Sequence, residues 1–142
     1  MKILITGIAG LLGSRLADWI LKNTDNSVIG IDDLSGGYIE NVNPRAKFYQ
    51  FNLLDLEKLE QVFSQERPDI VYHFAAYAAE GLSPFIRKYN YENNLISSAN
   101  LITKSICHDV SRFVFASSMS VYGDKHIAPF HEDMQQHPID PY

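Results

Sequence analysis

Three glycines and one carboxylate are the residues whose types and spacing first suggest chemistry. Gly7, Gly10 and Gly13 stand in the run Gly7-Ile8-Ala9-Gly10-Leu11-Leu12-Gly13, directly after the apolar stretch Ile3-Leu4-Ile5. A turn of this kind between a strand and a helix presents unpaired backbone N–H groups at the positive end of the helix dipole, where phosphate binds. Glycine serves there for the tight turn, for close approach of the backbone to a pyrophosphate and for helix–strand packing. The spacing is G-x-x-G-x-x-G, not the G-x-G-x-x-G of the dinucleotide fingerprint. By itself it also reads as a glycine-rich turn with no ligand. Asp32 closes the next apolar run about 20 residues past Gly13, where an acid holds the adenosine ribose hydroxyls. A carboxylate there accepts from both hydroxyls of NAD and repels the additional phosphate of NADP. Asp32 alone would equally suit a turn or a helix cap, but the strand, the glycines and the acid in register point to NAD. Asp33 is a second candidate for the same role.

Other chemistry is excluded more readily. The histidines His73, His108, His126, His131 and His137 show no tight pairing at helical ligand spacing, so no metal site is expected. Cys107 is the only cysteine, which rules out an internal disulfide and makes the cytoplasm the default setting. The formal net charge of -5 comes from mixed acids and bases with no basic run, so nucleic acid is not expected as a partner. No apolar run approaches the roughly 18 residues that span a bilayer, so no membrane partner is expected either.

The elements that must position these residues follow from periodicity. Lys2 to Thr6 reads as a buried strand, followed by a helix with Leu12, Leu16 and Ile20 on its inner face. Residues 28–31, 47–51, 70–74 and 112–116 read as further strands. Residues 55–65 and 84–107 read as helices. Residues 34–45, with Gly36, Gly37, Asn41, Asn43 and Pro44, read as a loop, as does the stretch from Gly123 onward. Near-continuous apolar strands alternating with helices call for a parallel sheet covered on both faces. A length of 142 residues fits one such α/β domain. The expected strand order is 3-2-1-4-5, with the ligand crevice at the carboxyl ends of the first and fourth strands.

Further segments then resemble the extended short-chain dehydrogenase/reductase family, in its NAD-dependent sugar epimerase/dehydratase group. Thr6-Gly7 through Gly13 is similar to the family's T-G-x-x-G-x-x-G, and Ile31-Asp32-Asp33-Leu34 to its D-N-L. Asn52-Leu53-Leu54-Asp55 resembles the segment after the third strand, whose first acid touches adenine. Asn52 replaces that acid here and can accept from the exocyclic amine through its carbonyl. His73-Phe74-Ala75-Ala76 resembles H-x-A-A, whose small residues let the backbone pass under the cofactor. The lysine that many relatives carry just beyond it is Ala78 here. Asn94 resembles the family's helix asparagine. Ser117-Ser118-Met119-Ser120-Val121-Tyr122-Gly123 resembles S-S-x-x-V-Y-G, and Pro141-Tyr142 resembles the start of P-Y-G-x-S-K.

The resemblance implies a Rossmann-type doubly wound parallel sheet, with residues 1–142 forming an NAD-binding domain that stops before the substrate domain. It implies cofactor contacts from Gly7, Gly10, Leu11, Leu12, Gly13, Asp32, Asp33, Asn52, Leu53, Phe74, Ala75, Ala76, Asn94 and Ser117, and catalysis by Ser118 and Tyr142. The implied reaction is epimerisation of a UDP-hexose-like nucleotide sugar through a transient keto intermediate. Dehydratases of the group place acids where Met119 and Ser120 stand, because eliminating water needs an acid and a base. The family's lysine lies four residues past the tyrosine, and a phenol ordinarily near 10 needs positive charge nearby to ionise at neutral pH. The 142-residue chain alone is therefore expected to be inactive. Alternatives that remain open are a non-catalytic dinucleotide-binding module or remnant, and a dehydratase or reductase of the same family. Self-association, as a homodimer or otherwise, is expected through the helix at 84–107, the edge of the fifth strand, or both.

Overall fold

The computed structural model describes residues 1–142. In chain order the elements are β1 Lys2–Thr6, α1 Leu11–Asn23, β2 Ser27–Asp32, β3 Lys47–Gln50, α2 Leu56–Glu66, β4 Ile70–His73, α3 Arg87–Asn90, α4 Ser97–Cys107 and β5 Arg112–Phe115. The strands form one sheet in the order β3-β2-β1-β4-β5. Every neighbouring pair is parallel. This is the expected doubly wound α/β fold, with the strand order reversing between β1 and β4.

Alternation along the strands builds a core on each face of the sheet. Leu4, Ile29, Ile31 and Val71 meet Leu59, Val62 and Phe63 of α2 and Leu101 of α4 on one side. Ile3, Ile5 and Val28 meet Ala17, Ile20 and Leu21 of α1 on the other. Lys104 and His108 reach from the end of α4 to Glu60 on α2, locking those two helices side by side. Hydrogen bonds from Lys104, Ser64 and His108 hold the Glu60 carboxyl down at about 2.

Two expectations are corrected. The inner face of α1 is Gly13, Ser14, Ala17, Ile20 and Leu21, while Leu12 is 62% exposed. A side chain on Gly13 would collide with the Gly7 carbonyl, so the bare glycine lets this side of the helix press on the turn. The helix expected at 84–107 is not one α-helix. Pro84 lies inside a 3-10 segment, Glu80–Phe85, and the helix starts only at Arg87. Proline has no N–H and disfavours a helical residue before it, which explains the break. Between α3 and α4 the residues Tyr91–Ile96 form a π-helical turn. Ser97 and Ser98 bond back to the carbonyls of Asn93 and Asn94 at its end, a pattern that distorts helices.

Asp55 caps α2 by accepting the Lys58 N–H at 3.1 Å. The final residues return to α3, where the Asn90 side-chain amide donates to the Pro141 carbonyl at 2.9 Å. No helix is long and apolar enough to cross a membrane.

Candidate functional site

Strand order reverses between β1 and β4, so the segments leaving their carboxyl ends diverge and open a crevice. Its cavity volume is about 170 Å³. Nine residues anticipated from the sequence line it: Gly7, Gly10, Asp32, Asp33, Asn52, Leu53, Phe74, Ala75 and Ala76. Tyr77, Tyr89, Asn93, Gly36 and Gly37 line it too and carry no motif that marks them. Leu11, Leu12, Gly13, Asn94, Ser117, Ser118 and Tyr142 lie outside this lining.

The turn after β1 needs its glycines for different reasons. Gly7 has φ +72, and a Cβ there would stand 2.7 Å from the Ala75 nitrogen, so glycine is what lets the two walls approach. Gly10 caps α1 without a side chain, and the first turn of α1 carries no acid. The leading N–H groups of the helix, Leu11 to Gly13, have no intrahelical acceptor and lie at its positive end. Leu11 and Leu12 can thus contribute only backbone here, since their side chains are 73% and 62% exposed. Gly13 serves the packing of helix against turn.

Asp32 ties this turn to the end of β2. One carboxylate oxygen accepts the Ala9 N–H at 2.9 Å and the other the Leu34 N–H at 2.9 Å. Each oxygen keeps a lone pair for a further donor. Asp33 accepts from the Ser35 N–H at 2.9 Å and the Asn52 amide at 2.7 Å. Burial opposes its charge, but the hydrogen bonds from Ser35 and Asn52 hold the carboxyl below its ordinary value. The Asn52 carbonyl already takes the Leu54 N–H at 2.9 Å, leaving one lone pair toward the crevice.

Across the crevice, Asn94 does not face the opening. Its carbonyl oxygen accepts the Tyr77 N–H at 2.7 Å and its amide donates to the Tyr77 carbonyl at 3.2 Å, so it pins the wall from behind. Its neighbour Asn93 faces the opening instead. Tyr77 meets Tyr89 edge-on, with centroids 5.0 Å apart. Ser117 holds the left-handed φ of 56 just after β5. Ser118 follows and caps the 3-10 turn Met119–Tyr122 by accepting the Ser120 N–H at 3.2 Å. The Tyr142 N–H donates to Asp140 at 2.8 Å. No cluster of three or more His, Cys, Asp or Glu side chains could hold a metal ion.

A free N-terminal helix end that donates, a tight glycine turn and a carboxylate with spare lone pairs that accepts are together what a dinucleotide requires. Comparison with known proteins bears on the same point. The family model described as the NAD dependent epimerase/dehydratase family matches residues 3–142. The chain is 37% identical over 146 residues to the UDP-glucose 4-epimerase of Streptococcus mutans serotype c, covering 100% of this chain and 43% of that protein. It is also 38% identical over 132 residues to the dTDP-D-glucose 4,6-dehydratase of Dictyostelium discoideum, covering 86% of this chain and 30% of that one. Among solved structures, UDP-glucose 4-epimerase with UDP-glucose from Thermotoga maritima superposes with a TM-score of 0.95 at 39% identity, covering 100% of this chain and 46% of that chain. The Brucella ovis UDP-glucose 4-epimerase in complex with NAD gives 0.92 at 29% identity, covering 99% and 43%. The chain spans less than half the length of these relatives.

Proposed function

The chain belongs to the NAD dependent epimerase/dehydratase family, and on that premise we propose that residues 1–142 form the NAD-binding Rossmann domain of a nucleotide-sugar epimerase. One observation carries the cofactor reading: the Asp32 carboxylate, hydrogen-bonded to the glycine turn through Ala9, faces the same crevice as Gly7 and Ala75. In this reading the N–H groups at the start of α1 hold the pyrophosphate, and Asp32 accepts from the adenosine ribose hydroxyls. Asp33 is already engaged by Ser35 and Asn52, so it buttresses the base end. When bound, NAD supplies a reversible hydride acceptor.

The substrate is a UDP-hexose-like nucleotide sugar. The Ser118 hydroxyl hydrogen-bonds the oxygen of the carbon being oxidised, and the Tyr142 phenol takes and returns the proton on that oxygen. Oxidation, rotation of the keto sugar and reduction on its other face need no further acid or base. Met119 and Ser120 carry none, and this supports epimerisation over the dehydration that the Dictyostelium relative's name describes. We also take the chain to associate with a second copy of itself.

The test pairs NAD titration with an assay of C4 inversion on UDP-glucose and UDP-galactose. NAD is expected to bind. Residues 1–142 alone are expected to show no inversion; in a protein that joins them to the family's lysine and substrate domain, Ser118→Ala and Tyr142→Phe should each retain NAD binding while abolishing inversion. Absence of NAD binding, or inversion that survives both changes, would overturn the reading.

A further inference from the structure

Behind the crevice wall lies a column of buried polar groups that the cofactor contacts do not use. Thr6, His73 and Asn90 are at most 1% exposed, and Ser98 is 9% exposed. His73 Nδ1 lies 2.6 Å from the Thr6 hydroxyl and Nε2 lies 2.8 Å from the Ser98 hydroxyl. Phe113 and Phe115 of β5 cover the imidazole, their ring centroids 6.1 and 5.6 Å from its own.

The protons in this column have one order. A hydroxyl has a single proton to give. Ser98 gives its proton to the Asn94 backbone carbonyl, which can only accept. Ser98 must then receive from Nε2, so that nitrogen carries the imidazole proton. Nδ1 is left as an acceptor and takes the Thr6 proton. The Thr6 oxygen in turn accepts the Ala75 N–H at 3.3 Å. An imidazolium would set an N–H against Thr6 and break the sequence, and burial accordingly pushes the His73 imidazole down to about 4.

Both ends of a three-residue piece of crevice wall hang on this column. Ala75 is held through Thr6. Tyr77 is held on both backbone atoms by the Asn94 side chain, and the Asn94 backbone carbonyl is bonded by Ser98. We propose that neutral His73, in its Nε2–H tautomer, is a positioning residue that sets the backbone from Ala75 to Tyr77 against the cofactor. The cofactor part of this proposal rests on the NAD reading above.

The test uses Thr6→Val, which keeps the shape and removes the hydroxyl, with Thr6→Ser as the variant that restores it. Three readouts are taken: the nitrogen resonances of the imidazole, amide hydrogen exchange at Ala75 and Tyr77, and NAD titration. The wild type should show a protonated Nε2 and an unprotonated Nδ1 at neutral pH. Thr6→Val should speed exchange at Ala75 and Tyr77 relative to the strand amides of β1, and weaken NAD by about tenfold. Thr6→Ser should return all three toward the wild type. If Thr6→Val does not fold, Ser98→Ala breaks the column from the helix side and is read in the same way. A protonated Nδ1, or a variant that unfolds more easily while Ala75 and Tyr77 keep their protection, would reduce His73 to a core histidine and overturn the proposal. If the wild type binds no NAD, the cofactor reading falls, and the tautomer and the exchange data alone decide whether the column holds the wall.

Discussion

Asp32 and His73 are the two residues through which single changes should be most informative. In the proposed cofactor reading, Asp32→Ala removes two charge-assisted hydrogen bonds to the ribose, worth about 1.5–3 kcal/mol each. It also releases the Ala9 and Leu34 amides. NAD affinity should fall at least about 10²-fold, and the preference for NAD over NADP expected of the wild type should vanish. Parallel titrations with both cofactors check this, and equal wild-type affinities would contradict it. His73 governs an acid response. Its folded value lies near 4, below the ordinary 6.5, so between those values the unfolded chain binds more protons than the folded one. Stability should therefore drop as pH falls from about 6.5 toward 4, by on the order of 3 kcal/mol in all. Urea unfolding at pH 7 and pH 4.5 should show that drop in the wild type and a smaller one in His73→Phe. The glycines and Asp32 were legible in the sequence because a tight strand-to-helix turn with close wall approach demands glycine, and because an acid closing the second strand stands out beside it. Asn93 was not, because the π turn advances the helix face, and no 3.6-residue pattern marks which of two adjacent asparagines faces the crevice.

At the scale of elements, the contact between α1 and the glycine turn is the joint that the site depends on. Gly13→Ala should gain about 1 kcal/mol of helix propensity, but its Cβ would meet the Gly7 carbonyl, and backbone cannot swing aside. Overpacking of this kind costs about 1–3 kcal/mol, so a net loss of stability is expected, together with weakened NAD binding. Gly36→Ala is the control. Nothing lies within 4 Å of a Cβ at Gly36, and the variant should unfold within about 0.5 kcal/mol of the wild type. Thermal unfolding of the pair decides it. A stabilised Gly13→Ala would mean that the turn can shift. The inner strands β1, β2 and β4 were legible as buried apolar runs, and the edge strands β3 and β5 by their aromatic and β-branched pairs Phe48-Tyr49 and Phe113-Val114. The broken helix was harder. Pro84 stood in the sequence as a first-turn residue, but it lies in a 3-10 segment before α3, and the π turn before α4 goes with Ser97 and Ser98 bonding back to the Asn93 and Asn94 carbonyls, which no apolar periodicity marks.

For the whole molecule, the two edges of the sheet differ in a way that bears on association. β3 is guarded: Lys47 and Tyr49 both bond Glu66 of α2, which puts charge and cover along that edge. β5 carries Phe113-Val114-Phe115 with no charge after Arg112, and Phe115 is 57% exposed. The helix layer beside β5 adds exposed apolar residues, with Leu95 at 60%, Ile102 at 42% and Ile106 at 73%. The segment that returns to the body does so at Asn90 through Pro141 and not along β5. An apolar edge with unpaired backbone groups pairs readily with another copy, and a second β5 offers the same chemistry in return. Light scattering over a concentration series should therefore show this chain self-associating. Val114→Lys charges the edge and Ile106→Lys charges the helix face, so the variant that restores the monomer identifies the surface used. If the edge carries the contact, Val114→Lys alone should do so, and NAD affinity should stay within about twofold of the wild type because β5 lies two strands away from the glycine turn. A wild type that stays monomeric throughout the series would overturn the expectation.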